Sequence, residues 1–137
     1  MSVSRVFSAQ TTALSVSLVE IETDLSRGLY AFSIIGIPDQ AVEEAKDRVG
    51  AAIKNSGLTS PKQKNQKIVI SLAPASEKKE GAIFDLPIAL SYLLASEEIH
   101  FDTKNKIFLG ELSLDGTKTA PKKQPWLMVS RSLEWRA

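Results

Sequence analysis

The first third of the chain alternates between apolar and polar positions with the two-residue period of half-buried β-strands. This pattern predicts a short strand over residues 3–7 and a second over residues 16–21, which ends at the acidic residues 22–24. Residues 30–35 form a more continuous apolar run, which predicts a strand buried on both faces. Residues 36–39 predict a change from strand to helix, because proline cannot continue a central strand.

The most regular helical pattern follows directly. Residues 40–56 carry apolar side chains at three- and four-residue steps, which is typical of an amphipathic helix. Asp39 is predicted to be its N-cap, since a carboxylate accepts hydrogen bonds from the free amides of a helix start. Glu44 and Arg48 stand four residues apart and predict an ion pair on the helix surface.

The rest of the pattern completes the fold class. Residues 68–72 and 107–112 predict two further strands, and residues 115–116 (Asp-Gly) predict a hairpin turn. A second helix is predicted over residues 85–96, with Asp85 as its N-cap. We therefore expect an α+β (or α/β) fold, a mixed sheet of four or five strands with two helices packed on it. The helix residues predicted to face the sheet are Val42, Ala45, Val49, Ile53, Leu86, Ile88, Ala89 and Leu93.

Length and composition exclude several classes of protein. With 137 residues the chain can build one hydrophobic core. No apolar run approaches the roughly 18 residues that span a bilayer, so no membrane partner is expected. The absence of cysteine and the single histidine, His100, exclude disulfide scaffolds, thiolate metal sites and histidine-based triads. These features predict a cytoplasmic globular domain.

The balance of basic and acidic residues changes near residue 117. Residues 1–116 hold twelve Lys or Arg against fifteen Asp or Glu, whereas residues 117–137 hold five basic residues, one acidic residue and both tryptophans. The second part has neither the strand period nor the helix period. We expect a domain over residues 1–117 and an irregular or disordered tail over residues 118–137.

Three separated motifs together resemble one family. They are GIPDQAVEEAKDRV at 36–49, ISLAPA with KEG and FDLPIAL between 70 and 90, and GELSLDG at 110–116. In this order and spacing they resemble the N-terminal domain of the YifB/ComM family of magnesium chelatase-like AAA+ ATPases. The resemblance covers roughly residues 2–117, and a truncated or frameshifted gene would explain the different sequence that follows.

The resemblance implies a fold and a function. The family domain has a Lon-protease-like topology, shared with domain 2 of a small-subunit ribosomal protein, and precedes an ATPase module. Members are bacterial, cytoplasmic ATPases that use ATP and Mg²⁺, and ComM members act in natural transformation as hexameric helicases that promote branch migration. We expect this chain to be a non-catalytic accessory domain of such a protein. The alternatives are a degenerate Lon-like protease-related domain and a pseudogene product without activity.

Catalytic motifs are missing from the sequence. Lon-type proteases use a serine activated by a lysine, and aligning Gly81 with the glycine of their active-site turn puts Ile83 at the nucleophile position. Ser76 lies at the wrong offset. No segment fits the phosphate-binding pattern G-x-x-x-x-G-K-[ST], so no nucleotide or other cofactor is expected in this chain.

The sequence offers two other kinds of candidate site. A cluster of acidic residues near the first helix could supply oxygen ligands to Mg²⁺. A helix cap and a solvated helix face explain the cluster better, so no metal is expected. Its members are Asp39, Glu43, Glu44 and Asp47. A set of lysines around one strand is a candidate contact for DNA, against the alternative of ordinary solubilising loops; its members are Lys62, Lys64, Lys67, Lys78 and Lys79.

Two kinds of partner are expected besides DNA. The turn over residues 79–85 occupies the place of the protease active-site turn and is a candidate docking face for the ATPase ring, DNA or a neighbouring subunit. An open sheet edge would also favour self-association, as a dimer of this chain or as a hexamer of the intact protein.

Overall fold

The computed structural model describes residues 2–11 and 14–114. In this part of the chain four strands form one mixed sheet in the order β1-β2-β4-β3, in which only β3 and β4 are parallel. The α+β prediction is confirmed, while the Lon-like topology stays a prediction. The elements are β1 (Ser2–Thr11), β2 (Val16–Arg27), β3 (Ala31–Ile35), α1 (Gln40–Asn55), β4 (Gln66–Ala73) and α2 (Asp85–Ala95).

The core lies between one face of the sheet and the two helices. Alternate residues of the strands are buried on this face, among them Ile21 and Leu25 of β2 and Ile70 of β4. Helix α2 packs against β1 and β2, and α1 packs against α2 and β3. Because α2 is enclosed by neighbours, nearly all of its residues are buried. All eight helix residues predicted to face the sheet are buried, which confirms the predicted core.

Two strand predictions are corrected. Strand β2 continues through the acidic residues to Arg27, because their alternation still suits a half-buried strand. Thr23 points into the core, where its Oγ1 lies 2.6 Å from Oγ of Ser91. Among the strands of residues 2–11 and 14–114, β3 is at the sheet edge, and it is not buried on both faces, since Ile34 is buried whereas Ile35 is 51% exposed.

The segment predicted as a strand at residues 107–112 forms no continuous strand. The amide of Phe108 donates to the carbonyl of Phe7 in β1, and the amide of Gly110 donates to the carbonyl of Ile83, both at 2.9 Å. The segment thus leaves the sheet edge for the start of α2, which interrupts any β ladder. The predicted hairpin at residues 115–116 and the tail at 118–137 lie outside the described residues.

No helix in the described ranges is long and apolar enough to cross a bilayer.

Candidate functional site

A cleft of about 990 Å³ lies where the starts of α1 and α2 meet the end of β1 and the start of β2. The loop over residues 74–81 forms one of its walls. The cleft contains residues of the turn at 79–85 that the sequence marked as a candidate docking face, and we call it the turn cleft. Its lining residues are Gln10, Thr11, Ser15, Ser17, Asp39, Glu77, Lys78, Glu80, Gly81 and Ile83.

Asp39 fixes the base of the turn cleft. Its Oδ1 accepts a hydrogen bond from the amide of Val42 at 2.8 Å, which confirms the predicted N-cap of α1. Its Oδ2 accepts from the amide of Gly81 at 3.0 Å. One carboxylate therefore holds both the helix start and the loop that faces it.

Lys79 is buried beneath the cleft and is not part of its surface. Its side chain is fully buried, and Nζ donates to the carbonyl of Gly36 at 2.8 Å and to the carbonyl of Pro74. The backbone of Lys79 also pairs with that of Ile37 and Asp39, at 2.9 Å each. The prediction that Lys79 contacts DNA is wrong, because its ammonium group is used to hold the loop.

We expect Lys79→Ala to lower the free energy of unfolding by about 2 kcal/mol, because it leaves a cavity and two carbonyls without their donor. The exposed neighbour supplies a matched control, since Lys78→Ala should change stability by no more than about 0.5 kcal/mol. Urea unfolding followed by circular dichroism measures both variants. Equal stability of the two variants would contradict the structural role of Lys79.

The burial of Lys79 should also make the free energy of unfolding depend on pH. Burial lowers the pKa of Lys79 below its ordinary value of 10.5, against a smaller opposing effect of Glu77. Between the lowered pKa and 10.5 the unfolded chain binds more protons than the folded chain, so this group makes the wild type more stable as the pH rises. The difference in stability between the wild type and Lys79→Ala should therefore widen across that alkaline range.

Ile83 presents an aliphatic side chain to the turn cleft. It is 38% exposed, and its backbone carbonyl is occupied by the amide of Gly110. The sequence prediction marked Ile83 as the degenerate nucleophile position, and the side chain there lines the cleft. The cleft thus offers an apolar contact at the position that the sequence analysis aligned with a protease nucleophile.

The charged side chains that line the turn cleft are mostly acidic. Among the described lining residues, Asp39, Glu77 and Glu80 contribute carboxylates against the single ammonium group of Lys78. Lys78 is held in place through its backbone, since its carbonyl accepts a hydrogen bond from Nε2 of Gln10 at 2.9 Å. This charge balance is unfavourable for a phosphate backbone and favourable for a polar or basic protein surface.

The lysines predicted to contact DNA do not form one surface. Lys62 and Lys67 are exposed near the start of β4, and Lys64 lies 3.8 Å from a carboxylate oxygen of Glu98. Lys78 lies beyond the other end of the strand, at the turn cleft. The structure therefore separates the lysines at the start of β4 from Lys78.

Asp85 is not the predicted N-cap of α2. The cap position is occupied by Phe84, and the carboxylate of Asp85 is fully buried. Arg48 donates to it through Nε at 2.7 Å and Nη2 at 3.0 Å, and the amide of Leu112 donates at 3.2 Å. The hydrogen bond to Asp85 raises the pKa of Arg48. Arg48 therefore makes its ion pair with Asp85 and not with the predicted Glu44.

The family model described as "subunit ChlI of Mg-chelatase" matches residues 21–129. The chain belongs to this ChlI family. YifB of Escherichia coli is 41% identical over 120 residues, competence protein ComM of Haemophilus influenzae 39% over 117, and a Mycobacterium tuberculosis protein 37% over 117. The resemblance to YifB and ComM is confirmed. Each match covers 85% of this chain but only 22–23% of the relative, so the chain spans less than a quarter of their length.

Two of the four clustered acidic residues near α1 are used in contacts within this ChlI-family domain. Asp39 caps α1, and Glu43 forms an ion pair with Lys46 at 2.9 Å. Within residues 2–11 and 14–114, no group of three or more His, Asp or Glu side chains is placed to hold a metal ion. His100 is exposed.

Sequence reasoning missed two features of this domain. The pair of Arg48 and Asp85 joins residues 37 positions apart, and no local pattern connects them. The contact of Gln10 with the loop spans 68 positions. For Asp85 a signal was available, because an acidic residue inside the apolar run at 84–90 must be paired when that run is buried.

Proposed function

We propose that this chain is an N-terminal accessory domain of a ComM-type AAA+ ATPase that processes DNA in the cytoplasm. Its 39% identity to a competence protein supports this class of function. In our proposal the domain has no catalytic activity of its own and acts by docking through the turn cleft. The longer protein would assemble as a hexamer and promote branch migration of DNA.

The proposed non-catalytic role is supported by the side chains at the turn cleft and by the contacts that they make. The position expected to hold a nucleophile is the isoleucine Ile83, which has no hydroxyl group. Lys79 is buried, and its Nζ donates to two carbonyl oxygens. A lysine in that arrangement cannot approach a substrate hydroxyl as a general base.

ATP and Mg²⁺ belong to this proposal only through the longer protein. The 137 residues contain no phosphate-binding motif of the form G-x-x-x-x-G-K-[ST]. We therefore propose that nucleotide binds in the ATPase module, and that this domain transmits or restrains the motion of that module through a protein contact.

The charge of the turn cleft supports a protein as the docking partner. Glu77 and Glu80 are exposed at its rim, where a phosphate backbone would meet repulsion. A basic or polar surface of the ATPase module would instead be attracted, with Ile83 supplying a central apolar contact. Docking would thus use the acidic rim for orientation and Ile83 for burial.

The test is calorimetric titration of this chain into the ATPase module of a longer family member. The double charge reversal Glu77→Lys with Glu80→Lys should weaken binding at least about tenfold, which corresponds to about 1.4 kcal/mol. Reversal of two exposed carboxylates outside the cleft, Glu97→Lys with Asp102→Lys, should change it less than about twofold.

Two outcomes would overturn the proposal. Absence of binding by the wild-type chain would remove the docking role and favour a product without activity. Cleavage of casein by the purified chain, abolished by substitutions in the turn cleft, would favour the protease-related alternative.

A further inference from the structure

A second cavity, separate from the turn cleft, lies between α1 and the 3₁₀ turn Pro61–Gln63. It has a volume of about 400 Å³, and none of the described residues lines both this cavity and the turn cleft. Lysines are prominent in its lining, and we call it the lysine groove. Its lining includes Tyr30, Lys46, Asp47, Gly50, Lys54 and Lys62.

Three ammonium groups surround the lysine groove. Lys46 and Lys54 are eight residues apart on α1 and lie on one face of the helix, separated by about 12 Å along its axis. Lys62 comes from the 3₁₀ turn on the opposite wall. Asp47 is the only carboxylate that the described part of the chain adds to the lining, so these residues give the groove net positive charge.

The lysines differ in how far they are already paired. Lys46 forms an ion pair with Glu43 at 2.9 Å. Lys54 and Lys62 are exposed and take part in no ion pair within residues 2–11 and 14–114. Two of the three ammonium groups are therefore available to an anion without breaking an ion pair in that part of the chain.

The floor and one wall of the groove suit an extended nucleotide chain. Gly50 lies between the two helix lysines, and a Cβ placed on it would meet no atom within 4 Å, so the floor is open to close approach. Tyr30 lies in the wall with a half-buried side chain. An aromatic ring beside lysines is the combination on which single-stranded nucleic acids stack their bases.

We infer that the lysine groove binds a single strand of nucleic acid, with phosphates against Lys46, Lys54 and Lys62 and a base stacked on Tyr30. The aromatic ring favours this ligand over an acidic peptide, which would use the lysines alone. The inference rests on the proposed function in DNA processing and gives that function a contact surface on this domain. The turn cleft stays the docking surface for protein.

The test is fluorescence anisotropy of a labelled oligothymidylate titrated with the full chain. With three phosphate contacts the slope of log affinity against log salt should be about −2, so affinity should fall about 15-fold between about 50 mM and about 200 mM salt. The variant Lys54→Gln with Lys62→Gln should bind at least about fivefold more weakly and reduce the slope to about −0.7.

The matched control removes the same charge elsewhere. Lys104→Gln with Lys106→Gln lies outside the groove lining and should change affinity less than about twofold. Equal losses in the two double variants would overturn the inference, because they would show a general effect of net charge. Binding of polyglutamate as tight as that of oligothymidylate would overturn the choice of nucleic acid.

The aromatic contact has its own pair of variants. Tyr30→Phe keeps the ring and should bind as the wild type does, whereas Tyr30→Leu should bind about fivefold more weakly. A Tyr30→Leu variant that binds oligothymidylate normally would overturn the stacking contact.

Failure of this inference can be told from failure of the proposed function. If the chain docks to the ATPase module but does not bind oligothymidylate, only the inference about the lysine groove is overturned. If the chain binds oligothymidylate but does not dock to the ATPase module, the proposed docking role of the turn cleft is overturned.

Discussion

Replacement of Asp85 by asparagine is expected to lower the free energy of unfolding by about 3–5 kcal/mol, which is the usual effect of breaking a buried ion pair. The carboxylate accepts two hydrogen bonds from Arg48 and one from the amide of Leu112. It therefore joins α1, the start of α2 and the segment at 107–112. Asp85→Asn would leave the guanidinium of Arg48 without its counter-charge in a largely buried place.

The control for Asp85 is the residue that the sequence pattern paired with Arg48. Glu44 is exposed on α1, and Glu44→Gln removes the same charge from the same helix neighbourhood. It should change stability by no more than about 0.5 kcal/mol. Urea unfolding at neutral pH measures both. If Glu44→Gln costs as much as Asp85→Asn, the partner of Arg48 has been wrongly assigned.

A double-mutant cycle separates the ion pair from general disruption. Once Arg48 is replaced by methionine, Asp85→Asn should cost markedly less, because no uncompensated guanidinium is left behind. Additive costs would show that the two side chains do not stabilise the fold through each other.

Gly36→Ala is expected to cost more than about 4 kcal/mol or to prevent folding. Gly36 has φ of 110°, and a Cβ on it would lie 2.1 Å from the carbonyl oxygen of Leu72 in the neighbouring strand β4. The turn that it forms also presents the carbonyl that accepts from Lys79. A side chain would therefore force the backbone away from β4 and disturb the base of the turn cleft.

The same substitution at Gly50 is the control and should have the opposite sign. Gly50 lies in the middle of α1, and an added Cβ there meets open space. Gly50→Ala should raise stability by about 0.5–1 kcal/mol, because alanine loses less backbone entropy in a helix. Thermal and urea unfolding compare the two. A stable, well-folded Gly36→Ala variant would contradict the close approach of Gly36 to Leu72.

Local sequence was sufficient for the elements whose cause is local. The period of α1, its cap at Asp39 and the apolar faces of both helices depend on residues within a few positions of one another. The strand patterns were also recognisable, and the three motifs identified the family before any fold was known.

The strand predictions that were wrong depend on contacts between distant parts of the chain. The apolar run of β3 was expected to be buried on both faces, but strand order depends on which strands pair, and among the described residues β3 pairs only with β4. Likewise the segment at 107–112 has the composition of a strand, yet its hydrogen bonds go to two different elements. Periodicity describes a strand's two faces and says nothing of its neighbours.

For this protein the sequence by itself determined the α+β class, the helices, the core positions and the family. Only the tertiary structure decided that Asp85 pairs with Arg48, that Lys79 is buried beneath the turn cleft, and that three lysines meet in a separate groove. Each of these depends on contacts between residues far apart in the chain, whose partners are set by packing of the whole domain. Burial then determines whether a charge is a surface group or a structural one.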